Sequence, residues 1–345
     1  MNFIVSRVRP DDTKTMESVF RLLNSQGLRF DGSAEETWVI LDEDRNTAAT
    51  GSICGNTLRC IAVGSGYTGE GLTNILMTRL MEEQYSRGNT HVFLYTKPSS
   101  ARYFGDLGFH EIVRCGEIVF MENKRSGFRS YLQKLRAFRT ESPSAAIVMN
   151  ANPFTLGHQY LVETAAKQYG TVHLFIVSED RSLIPFEIRK KLVIEGTSHL
   201  KNVICHDSGS YIISSATFPS YFQKDEDAVI HSHAAVDLAV FVKIAEVLGI
   251  TARFVGDEPS SRTTAVYNDV MKQELPEYGI ECIVLPRREN SRGIISASTV
   301  RSLIKEGNTA VLSDYLPQTT LNWLMSEDAV PIIENIRSAD SVIHE

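Results

Sequence analysis

No two of the five cysteines, Cys54, Cys60, Cys115, Cys205 and Cys282, are spaced as CxxC, and their number is odd. That argues against a disulfide framework and a thiolate zinc site, and it suits a reducing compartment. No stretch of about 18 apolar residues stands out as a bilayer span, and the opening MNFIVSRVRPDD has no long apolar core of the signal-peptide kind. A cytoplasmic protein with no membrane partner is expected. Basic charge is also scarce: 35 Lys and Arg against 42 Asp and Glu leave a net charge of −7, a poor field for a nucleic-acid backbone. Internal repeats and low-complexity tracts are missing as well.

What is present is ordinary globular material. The chain is 43% hydrophobic and 22% charged, and its 345 residues exceed what one core usually supports, so two domains are expected. The basic stretch KRSGFRSYLQKLRAFR, residues 124–139, carries Tyr131, Leu132, Leu135 and Phe138 at helical spacing. It reads as a connector helix, a solvated linker being a commoner meaning of such a charge run than a site for an acidic partner. Pro143 then marks the boundary. The division expected is 1–122, a linker over 123–143, and 144–345 with a helical C-terminal tail.

From residue 145 short β-branched runs alternate with longer helical patterns, the signature of a parallel sheet with crossover helices. Strands are expected over 145–149, 172–177, 202–205, 252–255 and 282–285. Helices are expected over 159–169, 186–200, 236–248, 264–275 and 299–306. Sheets of this α/β kind bind ligands beyond the carboxyl ends of their strands.

The first such end carries Asn150-Ala151-Asn152-Pro153-Phe154-Thr155-Leu156-Gly157-His158. A hydroxyl, a close-approach glycine and an imidazole would stand at a helix N-terminus, where amides and the dipole favour phosphate. An ordinary loop with a Thr155 cap explains the same letters. A second hydroxyl-rich helix start, Ile295-Ser296-Ala297-Ser298-Thr299-Val300-Arg301, follows the last strand, and an arginine one turn in can grip phosphate oxygens.

Together the two segments resemble the (T/H)xGH and ISSTxxR signatures of the nucleotidyltransferase superfamily, over about residues 144–310. The resemblance implies a Rossmann-like parallel sheet with helices on both faces, of cytidylyltransferase type. It implies that His158 stabilises the α-phosphate as pyrophosphate leaves, that Thr155 contacts phosphate, and that Ser298, Thr299 and Arg301 hold the β,γ end. Asn152, Phe154, Gly157 and Ser296 fall in the same motifs as nucleotide-binding positions. Arg189 in FEIRKK sits where a basic residue is often kept, with Lys190 and Lys191 as rivals.

Further segments narrow the family: ATFPSYF over 216–222, His231-Ser232-His233, and Arg253-Phe254-Val255-Gly256-Asp257-Glu258-Pro259 with Thr264, Tyr267 and Asn268. With the N-terminal part they resemble the citrate lyase ligase family over almost the whole chain. Gly256 and Asp257 would approach the nucleotide, although a Gly-Asp turn after a strand is equally ordinary. His231 and His233 have the spacing of an imidazole pair, but with no third ligand nearby a polar, non-metal role is expected, and no metal site is assigned.

The N-terminal part has its own pattern. A strand ending at Ile61-Ala62-Val63, the turn Tyr67-Thr68-Gly69-Glu70-Gly71-Leu72, and a helix over 76–85 form an arrangement that takes pyrophosphate on backbone amides. With a strand over 92–95 and ARYFGDLGF over 101–109, it resembles the GNAT acyltransferase fold over about residues 1–122. The resemblance implies that Gly69 and Gly71 bind a coenzyme-A-like group. Thr68 and Thr73 depart from the usual Q/RxxGxG/A motif, and Phe104 stands where many GNAT enzymes carry a general-acid tyrosine. A domain that holds a pantetheine-type thiol is therefore favoured over a free-standing N-acetyltransferase.

The family resemblance implies acetate activation with MgATP through acetyl-AMP. The acetyl group then passes to the thiol of the phosphoribosyl-dephospho-CoA group on the acyl carrier subunit of citrate lyase. Rival readings are another adenylyltransferase, a GNAT-type acetyl-CoA-dependent acetyltransferase, and a nucleotide sensor without turnover.

Overall fold

In the computed structural model the described residues are 2–178, 182–212, 218, 221, 226–257 and 262–339. They form two units, Met1–Ser130 with Thr217–Ala239, and Tyr131–Ala216 with Val240–Glu345.

The first unit is built on a seven-stranded sheet. In chain order its elements are β1 (Ile4–Arg7), α1 (Thr13–Ser25), β2 (Glu36–Leu41), β3 (Thr47–Cys54), β4 (Thr57–Val63), α2 (Leu72–Ser86), β5 (Phe93–Thr96), α3 (Pro98–Asp106), β6 (His110–Cys115), β7 (Ile118–Glu122) and the start of α4 (Gly127–Arg136). The strand order is β1-β2-β3-β4-β5-β7-β6, antiparallel except where β4 meets β5 in parallel. Alternation along β2 sends Trp38 and Ile40 into the core beneath α2 and α3, and Val39 into the core beneath α1. At the end of β7 the buried Glu122 carboxylate accepts from the Phe128 amide at 2.7 Å, fixing the first turn of α4, and takes His91 Nε2 at 2.6 Å. A Cβ on Gly127 would overlap that carboxylate, which is why the sequence keeps glycine there.

The second unit carries the rest of α4 and then β8 (Ser144–Met149), α5 (Leu156–Gln168), β9 (Thr171–Ile176), α6 (Phe186–Thr197), β10 (Val203–Asp207), the second half of α7 (Glu226–Leu248), β11 (Ile250–Gly256), α8 (Arg262–Glu274), β12 (Glu281–Leu285), the short pair β13 (Glu289–Asn290) and β14 (Gly293–Ile294), α9 (Ala297–Lys305), α10 (Gln318–Leu324) and α11 (Val330–Ser338). Its main sheet is five-stranded and wholly parallel, in the order β10-β9-β8-β11-β12. Every strand and helix expected in this region is present within a few residues, save that α7 starts earlier. Along β9, Val172, Leu174 and Ile176 enter the core with α5, α6 and α9, whereas His173 and Phe175 face the other side, against His206. Arg253 on β11 likewise turns away from that core and stacks over Phe241 of α7, 4.3 Å from the ring centre. Helices therefore cover both faces.

Two expectations need correction. The boundary falls inside α4, between Ser130 and Tyr131, not near Pro143, and Thr217–Ala239 belongs to the first unit rather than the second. The reason is burial: Tyr221 lies in the core beneath α1, and the Phe218 ring packs on Tyr95 of β5. Also, Ala228–Leu248 is long and apolar enough to cross a membrane by length and composition, and half of that stretch is buried inside the protein. Its buried Asp237 and its Lys243 and Glu246 interrupt the apolar letters, which is why no span stands out by eye.

Candidate functional site

The crevice of the second unit lies where the parallel sheet changes direction. From β8 the chain builds outward through β9 and β10, and from its neighbour β11 it builds the opposite way to β12. Loops leaving two such adjacent strands diverge and leave room beyond their carboxyl ends. The segment Asn150–Thr155 leaves β8 there, and Gly256-Asp257 leaves β11.

Thr155 is the N-cap of α5 and shares a reciprocal pair of bonds with His158. The Thr155 hydroxyl accepts from the His158 amide at 3.3 Å, and His158 Nδ1 accepts from the Thr155 amide at 3.1 Å. Because Nδ1 is an acceptor, neutral His158 carries its proton on Nε2. Burial, then the nearby Arg287 and Arg301 charges, push its pKa down to about 4. The imidazole is thus held as a neutral donor, with its ring lying on Phe154 at 5.9 Å. The α5 terminus itself is less open than the sequence implied, since the Leu156 amide donates to Tyr315 O at 2.9 Å.

The second motif is in contact with the first. A Cβ on Gly157 would stand 3.0 Å from the carbonyl of Ile295, so glycine lets the start of α5 sit against the residue that precedes α9 without displacing it. Ser296 caps α9 by accepting from the Thr299 amide at 3.0 Å, and the Ser298 and Thr299 hydroxyls cluster on it at 2.9 and 2.7 Å. The first-turn amides of Ala297 and Ser298 have no partner inside the helix, which makes this terminus the better anion seat. Arg301 is 1% exposed and donates through Nη1 to Asn152 O, tying α9 to the loop after β8.

Several residues assigned from the sequence to nucleotide contact have other duties. Arg189 is 0% exposed, and its guanidinium donates to the carbonyls of Ile184, Asn150 and Val177 at 2.8–3.0 Å and to Asn150 Oδ1 at 2.7 Å. It clamps the loops after β8 and β9 from behind. Lys190 pairs with Asp207 at 2.8 Å. Asn152 is buried and accepts from the Ile184 amide at 3.1 Å, and Phe154 is fully buried against Gly196, where a Cβ would overlap its ring. Gly256 and Asp257 do lie at the crevice: Asp257 is exposed, with its amide on Leu285 O at 2.8 Å. Glu258 and Pro259 lie outside the described residues.

Sequence reasoning missed two features. Arg287, just past β12, donates through Nε to Asp257 O at 2.7 Å and acts electrostatically on His158, while burial lowers its own pKa. The signal was available: a doubled arginine follows the last strand at the carboxyl end of the sheet. The C-terminal helices also support the site, Thr320 Oγ1 donating to Phe154 O at 3.0 Å. Nothing in the letters around Thr320 announces that bond. These helices line an apolar cavity of about 440 Å³, and none of the motif residues lines it.

In the first unit Gly69 and Gly71 have φ of +92° and +73°, and Gly71 is the left-handed N-cap of α2, so glycine is required at both turns. Tyr103 is 68% exposed and Phe104 7%, so the two adjacent rings of α3 point apart. His231 is exposed and His233 buried, its ring stacked on Phe218 at 4.7 Å, so the two imidazoles do not face one ion. Among the described residues no three His, Cys, Asp or Glu side chains are grouped to hold a metal.

The parallel sheet, its direction change and the two hydroxyl-capped helices define a doubly wound α/β unit with helices on both faces. Residues 144–324 match the citrate lyase ligase C-terminal domain family. The chain is 37% identical over 333 residues to the [citrate [pro-3S]-lyase] ligase of Escherichia coli (strain K12), covering 94% of each chain. It is 39% identical to that of Klebsiella pneumoniae, over 94% of this chain and 97% of the relative. A solved putative nicotinate-nucleotide adenylyltransferase from Vibrio parahaemolyticus is similar at 17% identity, over 58% of this chain and 98% of its own, with a TM-score of 0.37. This chain belongs to the citrate lyase ligase family.

Proposed function

We propose that the chain is an acid–thiol ligase that activates citrate lyase. With MgATP as substrate, an acetate oxygen attacks the α-phosphorus, the bond to the β-phosphate oxygen breaks, and pyrophosphate leaves acetyl-AMP behind. A thiol sulfur then attacks the acetyl carbon, the bond to the AMP oxygen breaks, and the thiol proton is released. The acceptor is the phosphoribosyl-dephospho-CoA group on the acyl carrier subunit of citrate lyase. Mg²⁺ arrives with the nucleotide and neutralises its phosphates.

The observation that carries this reading is the contact between the two motifs, Gly157 against Ile295, which brings His158 and the start of α9 to one crevice. Displacement at phosphorus asks for positioning and charge neutralisation more than covalent help. His158 Nε2–H meets charge developing on the α-phosphate without carrying a charge that would trap the product. The Ala297 and Ser298 amides, the Ser298 and Thr299 hydroxyls and Arg287 grip the departing phosphates. Arg301 positions both motifs, and Gly256-Asp257 lies at the nucleoside end. The first unit, with its Gly69–Gly71 turn, holds the CoA-like arm of the acceptor. Free cysteines throughout fit a cytoplasmic location.

The test is pyrophosphate release from MgATP, with and without acetate and with deacetylated citrate lyase, in wild type and His158→Ala. Release should require acetate and fall by roughly 10²–10³-fold in the variant, the usual cost of one preorganised donor. Acetate-independent release would assign another adenylyltransferase, and transfer from acetyl-CoA without ATP would assign the GNAT-like unit as the enzyme.

A further inference from the structure

The cavity of about 440 Å³ lined by the C-terminal helices is separate from the crevice motifs, yet its walls belong to the pieces that hold those motifs in place. Ile304 is one turn beyond Arg301 on α9, and Arg301 is tied to Asn152 O. Leu312 lies in the 3-10 turn Thr309–Asp314, which leads into Tyr315, and the Tyr315 carbonyl holds the Leu156 amide of α5 at 2.9 Å. Leu321 of α10 follows Thr320, whose hydroxyl donates to Phe154 O at 3.0 Å. Ile333 and Arg337 of α11 complete the lining.

The chemistry of these walls selects a ligand class. Apolar walls gain dispersion contact from any apolar body seated between them. At the ~30 Å³ that a water-sized group takes, the space suits a body of roughly a dozen non-hydrogen atoms. Its polar equipment is sparse and of one sign: the Thr309 and Ser313 hydroxyls and the Arg337 guanidinium, with no acid in the lining. Arg337 Nε reaches Ile304 O at 3.5 Å, and among the described residues no carboxylate pairs with it, Glu334 of the same helix included. A guanidinium with a free fork of donors takes a carboxylate bidentately. Mostly apolar walls with a few placed polar groups are the usual make-up of a small-molecule site.

We propose that this cavity is an effector site for a small amphipathic carboxylate, a straight-chain acid of about eight carbons. Its alkyl part lies among Ile304, Leu312, Leu321 and Ile333, and its carboxylate sits on the Arg337 fork. By filling the space the acid braces α9, the turn before Tyr315 and α10 together, and so favours the arrangement in which the starts of α5 and α9 meet. The site stands on the cavity and Arg337, whereas its coupling to nucleotide rests on the reading of the crevice as an ATP site.

The experiment is calorimetric titration of the full chain with octanoate and with octylamine, which has the same chain and the opposite charge, each without and with MgATP. Octanoate should bind at least about tenfold tighter than octylamine and raise the midpoint of thermal unfolding by about 3 °C or more at saturation. Arg337→Gln removes the charge and keeps the wall, and should weaken octanoate about tenfold without weakening octylamine. Ala310→Phe places a ring in the cavity and should abolish octanoate binding. If that variant folds poorly, the wild-type comparison and Arg337→Gln decide. Saturating MgATP should tighten octanoate about fivefold, and octanoate should lower the dissociation constant of ATP by the same factor, because coupling between two sites is reciprocal. Equal affinity for acid and amine, or no loss in Arg337→Gln, overturns the site. So does a chain that binds neither, and if it is also dimeric in sedimentation, a second copy covers this face instead. Octanoate binding that MgATP leaves unaltered overturns the coupling alone, whereas failure of ATP itself to bind counts against the nucleotide reading and not against the cavity.

Discussion

Arginines 189 and 301 look alike in the sequence, each a basic residue one turn into a helix near the crevice. The structure gives both to the protein. Arg189 satisfies three backbone carbonyls and the Asn150 side chain, and a lysine cannot reproduce that fork of donors. Arg189→Lys should therefore lower unfolding stability by about 3 kcal/mol, since each buried carbonyl left unmatched costs about 1–3 kcal/mol. Urea unfolding beside the KM for ATP checks it. A raised KM with unchanged stability would instead mean direct contact with the nucleotide. His158 shows the opposite case: its motif was legible, while its tautomer depended on the Thr155 amide three residues away and its neutrality on burial, then on two arginines far along the chain.

At the scale of elements, the two helix starts differ more than their letters suggest. The start of α5 is held by Tyr315 and tied to its own cap, whereas the α9 start is capped by Ser296 on the Thr299 amide, with no backbone bond to its first two amides among the described residues. Glycines set how closely these pieces approach. Gly196 of α6 lies against the buried Phe154 ring, which in turn underlies His158, and Gln159 donates to Gly196 O at 2.9 Å. Gly196→Ala pushes that ring toward the site, and overpacking of this kind costs about 1–3 kcal/mol. The expected result is a lower midpoint of thermal unfolding together with slower pyrophosphate release. Full activity with wild-type stability would show that the ring moves freely.

Over the whole molecule, a buried histidine pair makes stability depend on pH. His173 Nδ1 and His206 Nε2 lie 2.9 Å apart on β9 and β10, and His173 Nε2 has no hydrogen-bond partner among the described residues. Burial lowers the pKa of both to about 4 from 6.5, aided for His206 by His173. In the unfolded chain each takes a proton near 6.5 and the folded protein refuses it, so stability is whole above that pH and declines toward about 4. Urea midpoints should fall between pH 7.5 and 5.0 in wild type and fall less steeply in His173→Phe. An equal slope in both would remove the pair from the account.

The alternation of apolar residues with period two and near 3.6, the caps Thr155 and Ser296, and the required glycines determined the strands and helices of the second unit and its two hydroxyl-capped helix starts. These are local properties, set by pleat, helix pitch and the allowed backbone angles, so the letters contain them. The tertiary structure alone decided that Thr217–Ala239 belongs with the first unit, that Arg189 faces inward, that Arg287 acts on His158, and that α10 props Phe154. Each depends on which residues meet across a hundred or more positions, or across the sheet, and spacing along the chain does not encode such meetings. Burial then turns an arginine into a clamp.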